Sequence, residues 1–249
     1  MDLADQVALV TGAAHRVGRA IALELARGGA HILVHYHSSS SDTVRNTVQE
    51  IKSMGVDAYA VQADLGAASG VEQIFTALRE HFGRLDILVN SASIFQKREL
   101  LEVTLEEWNQ TIAVNLTGPF LCTQAAAALM NQNDPAGGAI VNICDRGVDG
   151  PWLEYAHHGV SKAALWSLTQ VSALSLGPHI RVNAVLPGPV MKPAGRNMSD
   201  AAWEAVGETV PLQRTGSPED VARAVAYLVR EDFITGTLIH VNGGEHLAK

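Results

Sequence analysis

The opening of the chain constrains its fold more than any other stretch. Val7, Ala8, Leu9 and Val10 form an apolar run that leads directly into the loop TGAAHRVG at 11–18. A short apolar run bounded by glycine reads as a strand buried on both faces. Val17, Ile21 and Leu25 then recur four residues apart, the spacing of one face of a helix. A glycine-bearing turn from a buried strand into a helix leaves free backbone amides at the positive end of the helix dipole, where a phosphate is held. The opening therefore predicts a dinucleotide-binding crossover.

The same alternation continues along the chain. Strand-like runs recur at 31–35, 58–61, 87–89, 139–143, 180–185 and 237–241. Helical faces lie between them, at Val44/Val48/Ile51, Val71/Ile74/Phe75/Leu78, Trp108/Ile112/Leu116/Phe120 and Val221/Ala224/Val225/Leu228. Strands that alternate with helices predict parallel strands joined by right-handed crossovers. The expected fold is α/β, a doubly wound Rossmann sheet of about seven parallel strands with helices on both faces. No repeat or linker interrupts the pattern, so 1–249 reads as one domain. The stretch 187–210, rich in Pro, Gly and Met, reads as a loop with a short helix and a candidate lid.

Composition narrows the function. With 249 residues, 47% of them hydrophobic, the chain has material for a large core. A net charge of −8 argues against a nucleic-acid partner. No uninterrupted apolar run approaches the roughly 18 residues of a bilayer span, and the start MDLADQ lacks signal-peptide character. No membrane association and a cytoplasmic location are the expectation. Cys122 and Cys144, without CxxC spacing, point to a reducing compartment and no metal. Cys144 reads as a small buried hydrophobe; Trp108, Trp152, Trp166 and Trp203 read as packing or interface residues, with the mouth of a site the alternative for Trp152.

Eight strings follow in order: TGAAHRVG, ADLG at 63–66, LVNSAS at 88–93, NLTGPF at 115–120, VNICD at 141–145, SKAAL at 161–165, RVNAVLPG at 181–188 and ITGTLIHVNGG at 234–244. Together they resemble the short-chain dehydrogenase/reductase family over essentially the whole chain. Within it the likeness is to pteridine reductases. It is carried by Arg16 inside the glycine loop, His35-Tyr36-His37 after the second strand, Ser93 and Phe95 after the fourth, and Asp145 where the family usually has serine.

The resemblance implies an NADP site. Gly12 and Gly18 would admit the pyrophosphate, with Val17 in the same loop, and Arg16, in place of the family's middle glycine, would reach a phosphate oxygen and supply the charge that Ser38 lacks. His37, Ser38 and Ser39 would meet the 2′-phosphate, since the second strand ends with no carboxylate before Asp42 to claim a ribose hydroxyl and repel a phosphate. Asp64 and Leu65 would contact adenine, with a helix-capping role the alternative for Asp64. Asn90 and Ala92 would run beneath the adenosine ribose, with Ser93 also at the cofactor; Lys162 would hydrogen-bond the nicotinamide ribose, and Pro187, Gly188 and Val190 would contact the nicotinamide. The chain departs from the pattern at Ser38, where an arginine is usual, and at Met191 and Lys192, where a threonine is usual.

For the reaction centre the resemblance implies Asn115, Asp145, His158 and Lys162, with Tyr155 nearby. The family's catalytic tyrosine precedes its lysine by four residues, and here that residue is His158. Spacing of i and i+4 puts His158 and Lys162 on one helix face, and Tyr155, three residues before His158 and seven before Lys162, is expected on the same stripe. Hydride transfer to C=O or C=N demands a positioned acid, and an imidazole, with an ordinary pKa of about 6.5, lies closer to neutrality than a phenol at about 10. Ser93, Phe95, Asp145 and Tyr155 would face a small-molecule substrate. Three readings stay open. His158 donates the proton with help from Asp145; or Tyr155 swings in, or Asp145 acts through water, and His158 only shapes the pocket, on a pterin-like or an unrelated carbonyl substrate; or the chain binds NADP without turnover, as a sensor or assembly subunit. The resemblance further implies a homotetramer or homodimer, and Glu245 and His246 are candidates to face a neighbouring subunit.

Overall fold

The computed structural model describes residues 1–193 and 197–248. Seven strands form one sheet: β1 (Val7–Val10), β2 (His31–Tyr36), β3 (Ala58–Gln62), β4 (Ile87–Asn90), β5 (Gly138–Ile143), β6 (Ile180–Pro187) and β7 (Leu238–Val241). Their order is β3-β2-β1-β4-β5-β6-β7, and every pairing is parallel. Each expected run is a strand, its ends moved by no more than two residues.

Eight helices accompany the sheet among the described residues: α1 (Arg16–Arg27), α2 (Ser41–Lys52), α3 (Ala68–His81), α4 (Leu105–Ile112), α5 (Gly118–Met130), α6 (Ala156–Leu176), α7 (Asp200–Glu208) and α8 (Pro218–Arg230). Successive strand residues point to opposite faces. Ala8 and Val10 therefore pack with Ile21 and Leu25 of α1 and Val225 of α8. Val7 and Leu9 pack with Ile74 and Leu78 of α3 and Ala126 of α5. Two buried layers explain why β1 is apolar at every position.

The stripe expected at Trp108, Ile112, Leu116 and Phe120 is not the buried face. Those side chains are partly or largely exposed, whereas Thr111, Asn115, Cys122, Ala126 and Met130 are buried. A π-helical turn at Ala113–Thr117 links α4 to α5 and rephases the helix. Such turns insert one residue into the i to i+4 pattern, so a uniform period fails across them. The continuous helical stretch Leu105–Met130 is long and apolar enough to cross a membrane by length and composition. Here its inner face packs on the sheet. The expected lid region contains α7, whose first turn is capped by the Ser199 side chain. Residues 194–196 of that region lie outside the described residues.

From β1 the chain runs outward to β2 and β3, then returns to place β4 on the other side of β1. In open parallel sheets a crevice forms at the carboxyl ends beside such a reversal.

Candidate active site

The carboxyl ends of the central strands open on a cleft of about 1420 Å³. Pockets for single small molecules run to about 1,000 Å³, so this one has room for a dinucleotide and a second ligand. One end is built by the glycine loop. Gly12 sits at φ +67, and its amide donates to Nδ1 of His35 at 3.2 Å. The other ring nitrogen of His35 donates to the Ala63 carbonyl at 3.1 Å, so the ring is neutral and pins the loop to the end of β3. Burial pushes its pKa down to about 4. A Cβ on Gly18 would lie 2.3 Å from the Gly12 carbonyl oxygen, so only glycine permits this turn. Arg16 adopts φ +56, a left-handed conformation that costs a non-glycine residue about 1 kcal/mol. Its guanidinium reaches across the cleft and donates to the Lys192 carbonyl at 2.9 Å.

Val17, His37, Ser38, Ser39, Asp64, Leu65, Ala92, Ser93, Pro187, Gly188 and Val190 also line the cleft. The hydroxyl of Ser39 lies 3.1 Å from His15 Nδ1. Asp64 Oδ1 accepts from the Gly66 amide at 2.8 Å in a local turn. α3 begins after Ala67 with no side-chain cap, which excludes the capping role weighed for Asp64. Asn90 departs from expectation. It does not line the cleft but turns into the sheet, where its Nδ2 donates to Asn142 Oδ1 at 2.8 Å and Asn142 donates to Thr169. As the last residue of β4 it points inward, and the following Ser91 and Ala92 face the cleft instead.

The residues expected at the reaction centre converge. Asn115, fully buried on the π turn, bridges the backbone of Ile94: its Oδ1 accepts from the Ile94 amide at 2.8 Å and its Nδ2 donates to the Ile94 carbonyl at 3.0 Å. His158 Nδ1 lies 2.9 Å from that same carbonyl, and Nε2 lies 3.1 Å from Asp145 Oδ2. Ser161 accepts from Asn115 and donates to the His158 carbonyl. Lys162 is buried one turn along α6, and its Nζ donates to the Ile143 carbonyl at 2.8 Å. Burial lowers its pKa, partly offset by Cys144 and Asp145 nearby. The Cys144 thiol is pushed up to about 12 by burial, which leaves it inert.

Tyr155 does not share the helical stripe of His158. It precedes α6 at φ −139 and ψ 45, and its buried ring packs between Phe95 and Trp152. Phe95 stacks on Tyr155 at 4.5 Å, sets its edge region against His158 at 4.7 Å, and stays 41% exposed, leaving area for a planar ligand. Trp152 borders the cleft, the alternative role rather than the packing or interface one, with the Arg146 guanidinium 5.1 Å over its ring. Glu245 faces this chain's own cleft rather than away from it, 3.5 Å from Arg146, and burial raises its pKa. His246 turns to Asn242 and stacks on His240. Ile94, Ser161 and Arg146 were not singled out from the sequence. Ile94 acts through its backbone, which leaves no side-chain signal to find.

The described residues hold no cluster of metal-ligating side chains. The loop where a Cβ would clash, the amides beside it and the carboxylate-free rim at His37, Ser38 and Ser39 fit a phosphorylated dinucleotide.

Comparison with known proteins agrees with this geometry. A family model described as enoyl-(acyl carrier protein) reductase matches residues 12–246. The chain is 37% identical over 245 residues to a 3-oxoacyl-acyl-carrier-protein reductase, FabG, of Staphylococcus aureus, covering 96% of this chain and 98% of that one. It is 36% identical over 256 residues to a short-chain type dehydrogenase/reductase of Picea abies, covering 98% and 93%. The structure of FolM alternative dihydrofolate reductase 1 from Brucella canis, complexed with NADP, superposes with a TM-score of 0.92 at 31% identity, covering 100% of this chain and 96% of that one. From its glycine loop to its last strand, the chain belongs to the short-chain dehydrogenase/reductase family of oxidoreductases.

Proposed function

We propose that this protein is an NADPH-dependent reductase that acts on a C=N or C=O bond of a flat cyclic small molecule of the pterin type. The observation that carries the reading is the hydrogen-bonded pair His158–Asp145 at the cleft wall, one helical turn from buried Lys162 and beside the partly open ring of Phe95. His158 stands where the resemblance puts the family's tyrosine. Relatives that reduce different substrates share this fold, so the substrate reading rests on the side chains of the cleft. The NADP held by the Brucella canis neighbour supports the cofactor, as does the absence of a carboxylate from the rim at His37, Ser38 and Ser39.

In this reading Gly12, Gly18 and the α1 amides hold the pyrophosphate, and Arg16 and Ser39 meet the added phosphate. When bound, the cofactor supplies a hydride. Lys162 presents its ammonium at the floor of the cleft, Phe95 and Trp152 hold the substrate plane, and the His158–Asp145 pair supplies the proton. Asn115 and the Ile94 backbone fix the ring so that the pair keeps its geometry. Two free, buried cysteines fit action in the cytoplasm. Exposed Phe120, Val160, Val171 and Leu174 on α5 and α6 fit assembly into a homo-oligomer, a tetramer in our reading.

Steady oxidation of NADPH with dihydropterin, or with one member of a panel of cyclic imines and ketones, is the expected result for the purified protein. Tight NADPH binding with no turnover across the panel favours the silent nucleotide-binding alternative.

A further inference from the structure

The hydrogen bonds around His158 assign its protons. Asn115 Oδ1 accepts from the Ile94 amide, which fixes the orientation of the amide group. The two Nδ2 hydrogens then go to the Ile94 carbonyl at 3.0 Å and Ser161 Oγ at 3.1 Å. None remains for His158 Nδ1, 3.4 Å away. The Ile94 carbonyl is an acceptor only, so Nδ1 carries a hydrogen and donates it across 2.9 Å. Nε2 faces Asp145 Oδ2 at 3.1 Å, and a bare lone pair against a carboxylate oxygen is repulsive. A second hydrogen therefore lies between them, on the ring or on the carboxyl. The pair holds one proton that can leave without disturbing the Nδ1 bond.

The ring belongs to the cleft wall but is almost wholly covered, with Asp145 the more open of the two. The His158 side chain is 2% exposed against 26% for Asp145. Phe95 and Trp152 close over it. Asp145 Oδ1 accepts from the Arg146 amide at 2.6 Å, which holds the carboxyl at the cleft wall. We propose that Asp145 hands the proton to the substrate and that His158 is a positioning residue that stores the proton behind it. This rests on the reductase reading above.

The step balances as follows. The substrate carbon gains a hydride from the reduced nicotinamide, and the C=N π pair takes the proton from Asp145 to form N–H. A proton that starts on Nε2 crosses to Oδ2 in the same event, leaving a neutral Nδ1–H ring and a carboxylate. Water returns a proton through Asp145 after product leaves, for a net uptake of one hydride and one proton. Lys162, Arg146, Asp149 and Glu245 are the other charged groups around the pair. A proton delivered by a carboxyl suits a basic imine nitrogen better than a carbonyl oxygen, which names the preferred substrate class.

The test uses two probes: dihydroisoquinoline, a neutral imine, and its N-methyl iminium salt, which needs a hydride but no proton. Asp145→Ala is expected to slow reduction of the neutral imine at least about 100-fold while iminium reduction stays within a few-fold. His158→Gln is expected to lose imine reduction at neutral pH. Toward acid pH it is expected to regain more than Asp145→Ala does, because it keeps the carboxyl at the cleft wall; the imine's own protonation lifts both variants equally. Nitrogen NMR of the cofactor-free protein is expected to show a hydrogen on His158 Nδ1, and NADPH binding by each variant confirms folding. The assignment is overturned if Asp145→Ala, which opens His158 to the cleft, still reduces the imine. Equal loss of both probes in a folded variant, or an Nδ1 without a hydrogen, overturns it too. A wild-type protein that reduces only the iminium removes the pair as the acid and leaves the reductase reading standing. Reduction of neither probe counts against that reading itself.

Discussion

His35 stands beneath the glycine turn with one nitrogen accepting from the Gly12 amide and the other donating to Ala63, so a second proton on the ring would set two donors against each other. Its folded pKa of about 4 lies below the ordinary 6.5. Above about pH 6.5 neither the folded nor the unfolded state binds this proton and stability is complete. Between there and about pH 4 only the unfolded chain binds it, so stability falls as pH falls. From about pH 7 to pH 5 the loss is about 2 kcal/mol from this one residue. Urea melts at the two pH values check this, and His35→Gln is expected to flatten the difference. An unchanged slope in that variant removes His35 as the cause. The His158–Lys162 spacing was legible in the sequence because i and i+4 share a face whatever surrounds them. That His158 is enclosed, with Asp145 in front of it, was not, because Asp145 arrives from β5 and Ile94 from β4.

At the scale of elements, the strand–loop–helix opening carries its geometry locally. Gly18 permits α1 to start against the Gly12 carbonyl, and Gly18→Ala forces a Cβ into a space of 2.3 Å. That variant is expected to keep its helical content by circular dichroism and to lose NADPH affinity by at least about tenfold, since about 1.4 kcal/mol of distortion suffices. Titration by NADPH fluorescence reads the loss; wild-type affinity would mean that the turn relaxes elsewhere. The α4–α5 stretch behaves differently. Its apolar residues predicted a helix correctly but not the face it buries, because the π turn carries Asn115, whose amide bonds Ile94 and Ser161 on other elements. Asn90 was misplaced for a related reason. A polar residue at the end of a central strand faces either the cleft or the adjacent strand, and only Asn142 across from it on β5 decides which.

For the whole molecule, the cleft at the chain reversal couples cofactor binding to global stability. At a concentration of about 100 times Kd a ligand of the folded state contributes about 2.7 kcal/mol, several degrees of Tm in a chain of this size. NADPH is expected to raise the melting temperature well above the effect of equimolar NADH. Equal shifts would remove the phosphate-reading role of Arg16, Ser38 and Ser39.

By itself the sequence determined the alternation of strands and helices, the parallel doubly wound sheet and the position of the phosphate-binding turn. These follow from hydrophobic period and glycine placement, which act over a few residues. Only the tertiary structure decided that His158 lies behind Asp145, that Tyr155 is packed into the aromatic wall, that Glu245 returns to the chain's own cleft, and that Asn90 belongs to the sheet. Each depends on a side chain or carbonyl delivered by a distant strand, and burial and hydrogen-bond satisfaction are settled only when those strands are side by side.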